Sequence, residues 1–210
     1  MKPIVLIMTS LVLAGCSVLG KRSAAEPPYE LLKNDAPFEV RRYGSMVIAE
    51  TSLDENDYSA ASGKGFNRLA GYIFGKNRSK TSIKMTAPVL QERRSEKISM
   101  TAPVLQQRNK SGWTMAFVLP ESFTLATAPE PLDPEVKLSE VPPATVAVIT
   151  YSGLHSSANL EKYGRQLRAW LEKQGYRAIS EPKLASYDPP WTLPFLRRNE
   201  VQIKIEPIHD

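Results

Sequence analysis

SIKMTAPVLQERRSEKISMTAPVLQ, residues Ser82 to Gln106, carries the heptapeptide MTAPVLQ twice, at Met85–Gln91 and Met100–Gln106, fifteen positions apart. A period of two sets Ile83, Met85, Ala87 and Val89 on one face of the first copy, and Ile98, Met100, Ala102 and Val104 on the same face of the second. That alternation marks half-buried strands. The charged link Glu92–Lys97 belongs in solvent, so the two segments predict an antiparallel hairpin. Each strand contains a proline, Pro88 or Pro103, which cannot donate to a ladder and sits at edges or bulges. Such a hairpin suits a curved sheet or an incomplete barrel better than a flat one. Trp113, Met115, Phe117 and Leu119 continue the pattern on the next strand.

On either side of this hairpin the order of elements repeats. Pro37–Leu53 reads as a strand with a weak point at Gly44, followed by a helix within Asn56–Asn77. Tyr58, Ala61, Phe66, Leu69 and Ile73 share a face of that helix, Asp57 or Asn56 caps it and Gly75 stops it. Past a proline-rich stretch, Pro129–Pro143, which cannot be regular throughout, come a strand at Ala144–Gly153 and a helix within Ser156–Gly175. Leu160, Tyr163, Leu167, Trp170 and Leu171 form its apolar face, Ser156 or Ser157 its cap and Gly175 its stop. Two extended segments follow, the last ending in NEVQIKIE (Asn199–Glu206). Strand, helix and strands therefore occur twice, which predicts an α+β fold whose two halves bury their apolar faces jointly.

The first residues, MKPIVLIMTSLVLAGC, hold one charge, Lys2, then an apolar run from Ile4 to Ala14 that is too short to cross a bilayer as a helix. A charged start and a small-residue end make residues 1–15 an export signal. Leu13-Ala14-Gly15-Cys16 resembles the lipobox of bacterial lipoproteins, which makes Cys16 the lipid attachment point. An ordinary signal peptide ending near a cysteine is the alternative. Cys16 is the sole cysteine of the 210 residues, so no disulfide competes for it. Ser17, rather than Asp, at the next position suggests the outer membrane, with the domain facing the periplasm. Residues 16–28, small, polar and proline-containing, read as a flexible tether, and residues 29–210 as one domain. Loss of residues 1–15 removes Lys2 and takes the net charge from +5 to +4. The basic residues are scattered and form no nucleic-acid stripe.

Chemistry is sparse. There is no Gly-x-Ser-x-Gly, His-Glu-x-x-His or P-loop, so no catalytic residue is assigned and a binding protein is expected rather than an enzyme. Glu121, Glu130, Asp133 and Glu135 fall in loops and read as solvated charges. Metal ligation would call first on histidine, and the chain has two. His209 lies at the tail; His155 sits between strand and helix and is the candidate ligand, with a solvent or capping role as its alternative. Met85, Met100 and Met115 fall on the apolar faces of three successive strands, where they either fill the core or line a flat ligand.

Several segments resemble the SOUL or haem-binding-protein family. They are Tyr72–Asn77 (YIFGKN), the two Ile-x-Met-Thr-Ala-Pro-Val segments, Phe117–Pro120 (FVLP), Tyr187–Trp191 (YDPPW) and Arg197–Glu200 (RRNE). The resemblance runs from about Tyr29 to Glu206 and implies a distorted antiparallel β-barrel of two pseudo-repeated halves, each with one helix. It also implies non-covalent haem or porphyrin binding, for which His155 would be the candidate axial ligand. Some members carry a histidine before the tyrosine of the first strand, where this chain has Arg42 in Arg41-Arg42-Tyr43. Binding would then rest on apolar contact with the macrocycle and on Arg41, Arg42, Arg197 or Arg198 near its propionates. The related effector-binding architecture includes small-molecule hydrolases, for which Glu200 is the candidate base, on the more polar face of its strand. A structural envelope protein is the third alternative.

Overall fold

The computed structural model describes residues 24–94, 112–189 and 191–208. Ten strands are described: β1 (Tyr29–Asp35), β2 (Phe38–Tyr43), β3 (Met46–Leu53), β4 (Val89–Arg94), β5 (Gly112–Val118), β6 (Val136–Val141), β7 (Ala144–Tyr151), β8 (Tyr176–Ala178), β9 (Lys183–Ser186) and β10 (Asn199–Pro207). Two helices accompany them, α1 (Tyr58–Ile73) and α2 (Ser157–Lys173). All ten strands join one antiparallel sheet in the order β1-β2-β7-β10-β9-β4-β5-β3-β6, with β8 beside the end of β10. The sheet curls into a half-barrel whose edges are β1 and β6, so the barrel implied by resemblance is open.

Local signals place the elements. Asp57 accepts a hydrogen bond from the Ala60 N–H at 2.8 Å and Ser156 accepts one from Asn159 at 3.1 Å, each quenching an orphan donor of the first turn. Gly75 and Gly175 take φ of 109° and 70° just past the helix ends, where a Cβ would be strained. The predicted strand Pro37–Leu53 breaks at Gly44 into β2 and β3. From the proline-rich stretch comes β6, bracketed by Pro134 and Pro142.

The helices cover one face of the sheet, α1 lying on β3 and β5 and α2 on β7, β8 and β10. Trp113, Met115, Phe117 and Leu119 point into this core as expected, with Leu53, Leu69, Leu167, Trp170, Val201 and Ile203. At Gly65 of α1 an added Cβ would lie 2.8 Å from Leu53 Cδ1 and 3.2 Å from Met115 Sδ, so the glycine sets how closely α1 approaches the sheet.

The predicted hairpin needs correction. The second heptapeptide, with Met100, lies outside the described residues. In the first, Ile83–Pro88 is not a strand; the strand begins at Val89 and runs through Glu92 and Arg93, assigned above to a solvent loop. The strand partners of β4 are β5 and β9. Pro88 has no N–H to give, and the Thr86 hydroxyl, which donates to the Val118 carbonyl, substitutes for a ladder bond. The single inward face also fails. Ile83 and Met85 join the helix-side core, whereas Ala87 packs against Ala185 and Tyr187 on the opposite face.

Candidate ligand-binding cleft

Residues alternating with the core set face the concave side. On β5 the helix side carries Trp113, Met115 and Phe117, and the concave side carries Thr114, Ala116 and Val118. This partition by size leaves space, a cleft of about 90 Å³. One wall is Ile48, Leu90, Ala116 and Val118, and the other is Tyr43, Ala144, Val146 and Gln202. Lys183 and Lys204, projecting from β9 and β10, belong to the lining of the same cleft, as does Glu92. Lys183 Nζ lies 3.3 Å from Glu92. Burial, and then the charge of Lys183, lowers the Lys204 pKa. Glu92 opposes that shift and already pairs with Lys183, so the two ammonium groups are partly balanced within the cleft.

An adjoining groove of about 510 Å³ is lined by Gly44, Ser45, Leu119, Pro120, Phe123 and Leu125. The two spaces share Pro27, Met46 and Val118. Pro27 belongs to residues 24–28, expected to lie in the tether, which instead form a strap against the sheet. Ala25 bridges to Thr86, its carbonyl accepts from the Ala87 N–H at 3.0 Å, and Ala24 packs against the Ala185–Tyr187 cluster. Glu26 pairs with Arg198 Nη1 at 3.0 Å.

Beneath the strap is a buried charge cluster centred on Glu200, which is fully buried. Arg41 Nη1 reaches both its oxygens at 3.0 Å, Arg198 donates from Nε at 3.1 Å and from Nη2 at 2.8 Å, Tyr187 donates its hydroxyl at 2.7 Å and Gln202 its amide at 2.9 Å. Arg41 also binds Glu39 at 2.6 Å. Burial opposes the Arg41 charge, but Glu200 more than offsets it and the guanidinium pKa rises; Arg198 behaves alike. Burial, and then the Glu200 charge, pushes the Tyr187 hydroxyl well above its ordinary range.

A model of the SOUL heme-binding protein family matches residues 24–204, from the first residue of the strap to the middle of β10. The chain belongs to the SOUL family. Heme-binding protein 2 of Homo sapiens is 30% identical over 167 residues, covering 78% of this chain and 76% of the human protein. Heme-binding protein 2 of Mus musculus is 28% identical over 176 residues, covering 83% and 80%. Among solved structures, the EcmrR C-terminal domain superposes with a TM-score of 0.59 at 14% identity, covering 85% of this chain and 98% of that one. That likeness concerns the fold, a curled antiparallel half-barrel with two helices.

Within this SOUL domain the residues singled out from sequence are scattered. Met115 is buried beneath α1 beside Gly65, and Met85 is half-buried against the same core, so both lie across the sheet from the cleft. Arg41 is locked in the Glu200 cluster. Arg42 is exposed and pairs with Glu30 at 2.7 Å. Both ring nitrogens of His155 are engaged, Nε2 with Ser186 Oγ at 2.7 Å and Nδ1 with the Tyr151 hydroxyl at 3.3 Å. Burial, and then the nearby Arg197 charge, pushes its pKa down to about 4, so the ring is neutral. Cys16 and His209 lie outside the described residues, among which no group of three or more His, Cys, Asp or Glu could hold a metal ion.

Lys183 and Lys204 were not singled out from sequence. A usable signal existed, because Val201, Ile203 and Ile205 fix which side of β10 meets the core and thereby place Lys204 on the other.

Proposed function

We propose that this SOUL domain binds haem or another tetrapyrrole, without covalent attachment, in the concave cleft. The observation that carries the reading is an apolar cleft with two lysines in its lining, one of them paired with Glu92, an arrangement that fits a flat hydrophobic molecule whose carboxylates take the place of that pairing. A macrocycle edge would lie against Ile48, Leu90, Ala116, Val118 and Val146, with the propionates toward Lys183 and Lys204. The cleft admits an edge rather than a whole macrocycle, and the shared residue Pro27 would have to yield for the ligand to extend into the adjoining groove. Axial ligation by His155 would require breaking its bond to Ser186, so apolar contact is assigned most of the affinity. Haem would supply only its own redox-active iron.

Binding rather than catalysis is supported by the state of Glu200, whose two oxygens already accept from Arg41, Arg198, Tyr187 and Gln202. A hydrolytic base needs a free lone pair directed at its substrate. We also read the domain as two pseudo-repeated halves, in support of which each helix covers its own set of strands and each set lends one wall to the cleft. The leader and Leu-Ala-Gly-Cys sequence support lipid attachment at Cys16, export, and an outer-membrane location facing the periplasm.

Titration of the mature chain with haemin tests the reading. A saturable Soret change is expected, weakened about tenfold, or roughly 1.4 kcal/mol, in Lys183→Glu/Lys204→Glu. His155→Ala should stay within about tenfold of wild type. Equal haemin affinity in the lysine variant, or loss of the Soret shift in folded His155→Ala, would refute this placement.

A further inference from the structure

The loop that follows Tyr187 leaves large apolar side chains in water. Trp191 is 62% exposed, Phe195 70% and Leu193 39%, and Leu154 on the neighbouring turn is 59% exposed. This loop is held in shape. The Arg198 N–H donates to Asp188 Oδ2 at 2.6 Å, the Thr192 N–H to the Pro189 carbonyl at 3.0 Å, and the Gly153 N–H to the Pro194 carbonyl at 2.9 Å, while Pro194–Leu196 forms a 3₁₀ turn. Its aromatic side chains are thus presented on a firm base.

The loop lies at the end of the domain where the N-terminal strap departs. Ala24 packs with Tyr187, the residue that opens the loop, and Glu26 pairs with Arg198, the residue that closes it. Eight positions separate Ala24 from Cys16, a span of at most about 29 Å when fully extended. A domain of this size is about 40 Å across. A lipid on Cys16 therefore brings this end of the domain, and not the far one, to the bilayer.

We propose that Trp191, Leu193, Phe195 and Leu154 form a docking surface for the membrane to which the chain is tethered. The tryptophan would sit at headgroup level, where its amphipathic ring finds both apolar and polar contacts, and the phenylalanine would add apolar area beneath it. Among the described residues no helix is long and apolar enough to cross a membrane, and the contact is peripheral. The reach argument rests on the lipid anchor of the proposed function, so the two are read separately in the test.

The full-length protein, purified from an envelope, is reconstituted into phosphatidylethanolamine–phosphatidylglycerol vesicles with brominated acyl chains, at lipid excess. Trp113 and Trp170 are 1% and 8% exposed and Trp191 is 62% exposed, so quenching of tryptophan fluorescence by the lipid reports chiefly on the loop. Roughly a third of the emission should be quenched if one ring of three meets the lipid. Trp191→Phe should abolish the quenching, and Leu193→Ser/Phe195→Ser should reduce it, with near-ultraviolet circular dichroism unchanged. Intact mass reads the acyl group on Cys16 independently. Quenching at Trp191 supports docking whatever that mass shows. Vesicle-bound protein with unquenched Trp191, quenching that survives Trp191→Phe, or burial of Trp191 in a soluble dimer or against a protein partner overturns it.

Discussion

Replacing Glu200 by glutamine keeps the shape of the side chain and removes its charge. In the wild type the carboxylate accepts from two guanidinium groups, a phenol and an amide, all at 3.1 Å or less. The amide nitrogen of glutamine would turn a donor toward donors, and Arg41, buried to 2% exposure, would keep only Glu39 as its anionic partner. Removing one member of a buried pair typically costs about 3–5 kcal/mol, because the remaining charge stays desolvated. For a domain of this size each kcal/mol lowers the melting temperature by about 2–4 °C, so Glu200→Gln should melt roughly 10 °C below wild type. Urea unfolding followed by circular dichroism gives the free energy directly. Glu30→Gln, which breaks only the exposed pair with Arg42, is the control and should cost less than about 1 kcal/mol. A Glu200→Gln protein within about 1 kcal/mol of wild type would refute the view that the cluster stabilises the fold.

Two further outcomes follow from features of the core and of His155. Gly65→Ala should destabilise by about 1–3 kcal/mol through contact with Leu53 and Met115, whereas Gly63→Ala, with nothing within 4 Å of its added Cβ, should stabilise by up to about 1 kcal/mol; equal effects in thermal melts would discount the close approach of α1. His155 has a folded pKa of about 4, below its ordinary value of 6.5. Above pH 6.5 both folded and unfolded states hold it neutral. As pH falls from 6.5 to 4 the unfolded chain takes up the proton first, so up to about 3 kcal/mol of stability should be lost across that window. His155→Gln should flatten the slope, and an unchanged slope would contradict the assignment.

Much of the architecture was legible because its causes are local. Asp57 and Ser156 cap the helices that follow them, Gly44 breaks a strand, and Trp113, Met115 and Phe117 alternate wherever the strand is placed. The second half of β4 misled because Glu92 faces the cleft, where charge is tolerated, and so disguises a strand as a loop. Glu200 was placed on the polar side of its strand, and so it is, yet its burial was not legible. Its neutralising partner Arg41 is 159 positions away, and Arg198 is steadied by Glu26, 172 positions from it. The methionines were read from their repeat, and repetition along the chain does not reveal which side of a curled sheet a strand presents. For a lysine in the cleft lining the informative neighbour was the apolar residue on either side of it.

The unequal sizes on the two faces of β5 have a bearing on how such a domain can diversify. Its bulky positions answer to the helices and its small ones to the cleft, so one strand holds two separate inventories in alternate letters. Exchanging Thr114, Ala116 or Val118 for a neighbour in size reshapes the space offered to a ligand while Trp113, Met115 and Phe117 continue to seat α1. The shape of the cleft can thus change by small steps while the seat of α1 is kept.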